Sequence, residues 1–244
     1  MRYFLWHNKM RFGEVIMERV RRLHLESVYN IRDLGGYFTN NNTITKWNLL
    51  LRSADLADIN ERDRDILYEY GVRTIINLKE PGETPNPIES DKRFCYIQAP
   101  LVDDFQRMFS IIKDYNGSFY LTMIEAFKEN IRQIMALISL HIGNGGILFH
   151  CVSGKDRTGI ISALLLLLNG VSELDVLTDF ISSAIYLRPV ADKENKTYEK
   201  ILKYPEEIES VIEYINCTYG GAEGYLKSIG VHNADMEKIK AFLG

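Results

Sequence analysis

A cysteine and an arginine six residues apart, Cys151 and Arg157, are the side chains of this chain best placed to do chemistry together. They lie in His150-Cys151-Val152-Ser153-Gly154-Lys155-Asp156-Arg157-Thr158-Gly159, after the apolar run Gly146-Ile147-Leu148-Phe149 and before a second one at 160–168. That order predicts a buried strand, a tight loop and a buried helix, with the cysteine at the strand's end and the arginine in the first helical turn. A loop that opens a helix gathers unpaired N–H groups and the positive end of the helix dipole, and both favour an anion. Arg157 adds a planar fork for two phosphate oxygens. The same field favours thiolate over thiol, so Cys151 becomes a nucleophile at neutral pH. A thiolate facing a bound phosphate is equipped for covalent phosphoryl transfer. A cysteine alone is better read as a small buried hydrophobe; the arginine, the glycines and the strand-loop-helix setting favour the chemical reading.

These residues resemble the H-C-x5-R-S/T signature of the protein tyrosine phosphatase superfamily, matched at His150, Cys151, Arg157 and Thr158. The longer string H-C-x-x-G-K-D-R-T-G resembles the bacterial tyrosine phosphatase family, whose members often also accept phosphoserine and phosphoinositides. Asn30-Ile31-Arg32-Asp33-Leu34-Gly35-Gly36-Tyr37, followed by Leu50-Leu51-Arg52-Ser53-Ala54-Asp55-Leu56, is similar to that family's N-terminal signature. The resemblance therefore runs from about residue 22 to the last residue. A C-x5-R spacing also occurs in arsenate reductase and rhodanese relatives, but Lys155-Asp156 and the Asn30 block count against both. A phosphate-binding module without catalysis usually lacks the cysteine or the arginine, and both are present here.

The resemblance implies Cys151 as nucleophile and Arg157 as phosphate clamp. Amides of Val152, Ser153, Gly154, Lys155, Asp156 and Arg157 would surround the three equatorial phosphoryl oxygens, where transition-state charge sits. Thr158 is expected to donate its hydroxyl to the thiolate, or else to bond only backbone. His150 is expected to order the loop, since an ionised nucleophile needs no base. Arg32 and Asp33 are expected to pair and brace the phosphate loop, rather than Arg32 touching substrate. Lys155 resembles a loop lysine of lipid phosphatases that meets extra phosphates on an inositol ring; its plain alternative is a solvent-facing lysine. Asn77-Leu78-Lys79 stands where family members often carry Asp-Leu-Arg, which leaves the salt bridge of that arginine open.

A general acid is required because a phenolic or alkyl oxygen leaves poorly as an anion. The superfamily usually takes an aspartate from a separate loop, which suits Asp103 and Asp104 after a strand ending at Leu101. The narrower family carries its aspartate inside the phosphate loop, at Asp156. Asp156 is preferred and Asp104 is next; either also reads as a solvated loop carboxylate. No His, Cys, Asp or Glu cluster has metal-ligand spacing, and the covalent route needs no metal or other cofactor.

The 244 residues suit one domain. Twenty-nine basic against 33 acidic side chains give a net charge of −4, so no global basic field points to nucleic acid. Cys95, Cys151 and Cys217 are too scattered for a zinc site or a disulfide frame and fit a reducing compartment. The apolar run at 160–168 is far too short to span a bilayer. The N-terminus lacks a signal-peptide pattern, so a cytoplasmic location is expected. Phosphotyrosine proteins and phosphoinositides are the expected partners, and a monomer the expected state.

Residues 1–18 read as an extension and 19–244 as one α/β catalytic domain, a mainly parallel central sheet flanked by helices. Strands are expected at 19–25, 44–51, 72–78, 94–101 and from residue 147. Helices are expected from the Asn60 cap to Gly71, at 118–140 as one long element, at 158–169, from the Ser172 cap to about residue 187, and through 206–214 and 233–243.

Overall fold

In the computed structural model, which describes residues 20–83, 87–193 and 205–244, five strands form one sheet. They are β1 (Arg32–Asp33), β2 (Leu50–Ser53), β3 (Val72–Asn77), β4 (Cys95–Gln98) and β5 (Gly146–His150), in the spatial order β1-β2-β5-β3-β4. β1 runs antiparallel to β2, and every other neighbouring pair is parallel. The anticipated N-terminal extension lies outside the described residues.

β5 is the centre of the sheet and is buried along its whole length. Successive side chains of a strand face opposite ways. Ile147 and Phe149 accordingly join the larger apolar cluster, and Leu148 joins the smaller one on the other face. The helices are α1 (Glu61–Glu69), α2 (Phe105–Ile111), α3 (Phe119–Ala126), α4 (Lys128–His141), α5 (Asp156–Leu168), α6 (Glu173–Tyr186), α7 (Arg188–Lys193), α8 (Pro205–Tyr219), α9 (Ala222–Ser228) and α10 (Asn233–Leu243). Among the described residues, no helix is long and apolar enough to cross a membrane. β5 leaves the sheet between β2 and β3, so its carboxyl end faces the crevice where parallel α/β sheets place their ligands.

α5 follows directly and is buried on nearly every side. Its N-cap residue, Lys155, makes no side-chain capping bond. A missing cap costs about 1 kcal/mol. Burying a leucine contributes roughly 1.5–3 kcal/mol, and Leu164, Leu165 and Leu166 are all buried. Apolar packing thus holds the helix while its first N–H groups stay available to an anion.

Three expectations are corrected. The long helix is two, α3 and α4, because Phe127 between them takes φ −116° and ψ 35°. No proline or glycine marks that break, so the apolar periodicity runs through it. The strand expected at 19–25 contributes only an isolated bridge between Arg22 and Arg32, and of 44–51 only the last two residues enter β2. α2 was unanticipated; it opens at Asp104, whose side chain accepts from the Arg107 amide. The caps at Asn60 and Ser172 form as expected, each accepting from the amide three residues on.

Candidate active site

Cys151 follows β5 directly and is 1% exposed. The chain then turns through Val152, Ser153, Gly154 and Lys155 into α5. Asp55 donates its amide to the Val152 carbonyl at 2.9 Å and pins the outgoing strand. Gly154 takes φ +64°, and a Cβ there would stand 2.2 Å from the Ser53 carbonyl oxygen. Only glycine fits both that conformation and that approach. Gly159 is also required, since a Cβ would meet the Phe180 ring of α6 at 2.8 Å.

The back of the loop is held by residues from β1, β2 and α6. Asn30 Nδ2 donates to the Ser153 and Gly154 carbonyls at 2.9 and 3.0 Å. Arg52 Nη2 donates to the Gly154 carbonyl at 2.8 Å and the Lys155 carbonyl at 3.4 Å. Both Arg52 and Arg32 pair with Asp179 of α6, and all three are buried. Burial disfavours the Asp179 charge, but the two guanidiniums more than offset it and hold its carboxyl below the usual range. The expected Arg32–Asp33 pair does not form. Adjacent residues of a strand point to opposite faces, so Arg32 meets Asp179 at 2.7 Å while Asp33 accepts from Gly35 N, Asn48 N and the Tyr70 hydroxyl. Arg32 still braces the loop, through Asn30.

Arg157 lies on the first turn of α5, and Glu83 accepts from its Nη1 and Nη2 at 2.7 and 3.1 Å. That takes two of the five guanidinium N–H groups and sets the plane of the others. Burial works against the Arg157 charge, but Cys151, Glu83 and Asp156 outweigh it and raise its pKa. Partial burial likewise opposes the Glu83 charge, yet Arg157 holds that carboxyl below its usual range. The Phe105 ring of α2 lies 5.1 Å from the Arg157 guanidinium carbon. Asp104, next to Phe105, caps α2, its side chain accepting from the Arg107 amide.

Asp156 opens α5 and accepts a hydrogen bond from the Tyr120 hydroxyl of α3. Burial and the Asp156 charge raise the Tyr120 pKa, so the phenol stays a donor. Lys155 is only 7% exposed, with its ammonium 3.7 Å from Asp156 Oδ1 and 5.7 Å from the Phe180 ring centre. It is thus neither a solvent-facing lysine nor one extended over the mouth of the loop. Thr158 Oγ1 is buried and makes no hydrogen bond among the described residues, so neither expected bond, to Cys151 or to backbone, is present.

His150 lies wholly buried next to Cys151, its Nδ1 3.4 Å from the Cys151 carbonyl oxygen. Burial brings its pKa down to about 4, against the pull of Asp55 and with the help of Lys79, so the ring is neutral at pH 7. A neutral ring bonding backbone fits a loop-ordering role. Lys79 Nζ meets both Asp55 oxygens at 2.8 Å. The bridge left open by the Asn77-Leu78-Lys79 departure is therefore made, by a lysine. Asn30, Arg52, Glu83, Tyr120 and Asp179 were given no role from sequence. Asn30 and Arg52 fall within the two N-terminal signature stretches and Glu83 in the loop after β3, whereas Asp179 and Tyr120 are unremarkable helical residues in sequence.

A family model described as the tyrosine phosphatase family matches residues 23–243. A tyrosine-protein phosphatase of Nostoc commune is 32% identical over 217 residues, which is 80% of this chain and 74% of that protein. Among solved structures, the TpbA crystal structure from P. aeruginosa aligns with a TM-score of 0.38 at 13% identity, covering 64% of this chain and 84% of that one.

Proposed function

The chain belongs to the tyrosine phosphatase family, and we propose that it hydrolyses phosphotyrosine through a cysteinyl-phosphate formed on Cys151. The observation that carries this reading is the convergence on one loop of a cysteine just after the central strand, an uncapped helix N-terminus and an arginine oriented by Glu83. The phosphoryl group enters with its three non-bridging oxygens toward the loop amides and Arg157. Cys151 Sγ attacks phosphorus as the bond to the tyrosyl oxygen breaks, and that oxygen takes a proton from a carboxylic acid. Water then attacks the phosphorus of the cysteinyl-phosphate, giving a proton to the same carboxylate as the S–P bond breaks; phosphate leaves and the thiolate is restored. The amides and the guanidinium act where charge develops, the arrangement that contributes most to such transition states.

Asp156 is the acid in this scheme. It stands in the loop beside Arg157, held by a Tyr120 phenol that stays protonated. Asp104 would first have to release the Arg107 amide, 2.8 Å away, and uncap α2. Asp156→Asn should slow a phenyl or alkyl phosphate by roughly 10²-fold or more, with much less effect on a nitrophenyl phosphate. It should also erase the alkaline limb of the kcat profile, because the acid must be protonated to act. Leaving-group dependence in Asp104→Asn, with equal small losses in Asp156→Asn, would transfer the role to Asp104. A phosphoinositide substrate ranks second, because a second phosphate would have to draw Lys155 away from Asp156 and Phe180.

A further inference from the structure

Behind the phosphate loop a closed ring of buried polar side chains connects three elements. Asp179 takes Arg32 Nε at 2.7 Å and Arg52 Nη1; Arg32 Nη1 reaches Asn30 Oδ1 at 2.5 Å; Asn30 and Arg52 both donate to the Gly154 carbonyl. Asn30 also holds the Ser153 carbonyl and Arg52 the Lys155 carbonyl. The N–H and C=O of a planar trans peptide point in opposite directions. Pinning these three carbonyls backward therefore turns the amides of Gly154, Lys155 and Asp156 forward. Two guanidiniums and one carboxylate also leave a net positive charge inside the protein, wholly shielded from water. Burial brings Arg52 down to about 10, with the Arg32 charge adding to that, so it is still a cation at neutral pH. Its Nε–H has no partner among the described residues. A buried unbalanced cation destabilises a fold unless something else compensates it, and a thiolate on the same loop is such a partner.

We propose that Arg52 is a positioning residue of the phosphate loop: it turns the Lys155 and Asp156 amides toward the phosphoryl oxygens, and its charge favours the thiolate of Cys151. The proposal rests on the phosphatase reading of that loop. Arginine suits the place because its flat fork serves Asp179 and the Gly154 carbonyl with separate nitrogens at once. A lysine ammonium is a single point of charge and holds one of them. Charge and geometry can thus be separated by substitution.

Wild type, Arg52→Lys and Arg52→Met are compared for the pH dependence of Cys151 alkylation by iodoacetamide, for vanadate inhibition, and for folding by circular dichroism. Arg52→Met should move the midpoint of Cys151 alkylation up by about one pH unit and weaken vanadate by about tenfold or more. Arg52→Lys should leave that midpoint near its wild-type position and still weaken vanadate by about tenfold. A folded Arg52→Lys with wild-type vanadate affinity overturns the positioning role. An unmoved midpoint in folded Arg52→Met overturns the electrostatic one. Should Arg52→Met fail to fold, Arg52→Lys decides the positioning role, and a midpoint moved up in Arg52→Lys, which keeps the charge, overturns the electrostatic one; failure of Arg52→Lys to fold would also count against the proposal, since the residue would then act through the fold and not through the loop. Failure of the underlying reading looks different and appears in the wild type, as Cys151 reacting no faster at pH 6 than the exposed Cys95 and Cys217.

Discussion

Cys151→Ser should lower kcat on a phosphotyrosine peptide by roughly 10⁴-fold or more while changing the peptide's Kd by no more than a few-fold. A serine hydroxyl is not ionised at neutral pH, and the field of one loop and two guanidiniums cannot make it so. The amides, Arg157 and the brace behind the loop are untouched by exchanging sulfur for oxygen. The site is buried and the two side chains are similar in size, so the fold should tolerate the change. Steady-state turnover and calorimetric titration of the same protein measure the two halves. Residual turnover within tenfold of wild type would mean that the sulfur is not the nucleophile.

Arg157→Ala should damage both halves, because its fork acts on the bound ester and on the transition state alike. A loss on the order of 10³-fold in kcat/KM is expected for a charged donor aimed at developing oxygen charge. Its partner makes the effect larger than simple deletion. Glu83 loses the guanidinium that orients its carboxylate and offsets most of its charge, and that negative charge then stands beside a dianionic substrate. Arg157→Ala with Glu83→Gln should therefore recover part of the peptide affinity and almost none of kcat. Arg157→Lys should also stay well below wild type, since an ammonium cannot face Glu83 and two phosphoryl oxygens in one plane. Equal peptide affinity in the single and double variants would show that Glu83 has no electrostatic bearing on the substrate.

The chemical centre was legible because it is local. A strand, a turn and a helix written in fourteen or so consecutive residues specify their own geometry through hydrophobic runs and glycine, and Cys151, Gly154 and Arg157 fall where that pattern puts them. What braces the centre was not legible, because it depends on which elements become neighbours. Asp179 meets Arg52 across 127 positions and Arg157 meets Glu83 across 74; no spacing rule reaches that far. The Arg32–Asp33 expectation failed because the two residues form a short strand outside the runs expected as strands, and alternation sends their side chains to opposite faces. The break at Phe127 left no trace, because its apolar side chain is buried and continues the helical stripe. The two acid candidates could not be separated from sequence, since what distinguishes them, the Tyr120 bond to Asp156 and the α2 cap made by Asp104, lies in elements that the loop pattern does not specify.

The central claim is that the phosphoryl group passes through Cys151. Acid quenching of wild-type enzyme during turnover of a phosphotyrosine peptide, followed by mass analysis of the Cys151-containing fragment, tests it directly. The account predicts one added phosphoryl group on Cys151, formed as fast as tyrosine is released in the first turnover and accumulating further in Asp156→Asn when a good leaving group is used. Release of tyrosine in the first turnover with Cys151 unmodified at every quench time, or with the phosphoryl group on another residue, would contradict it.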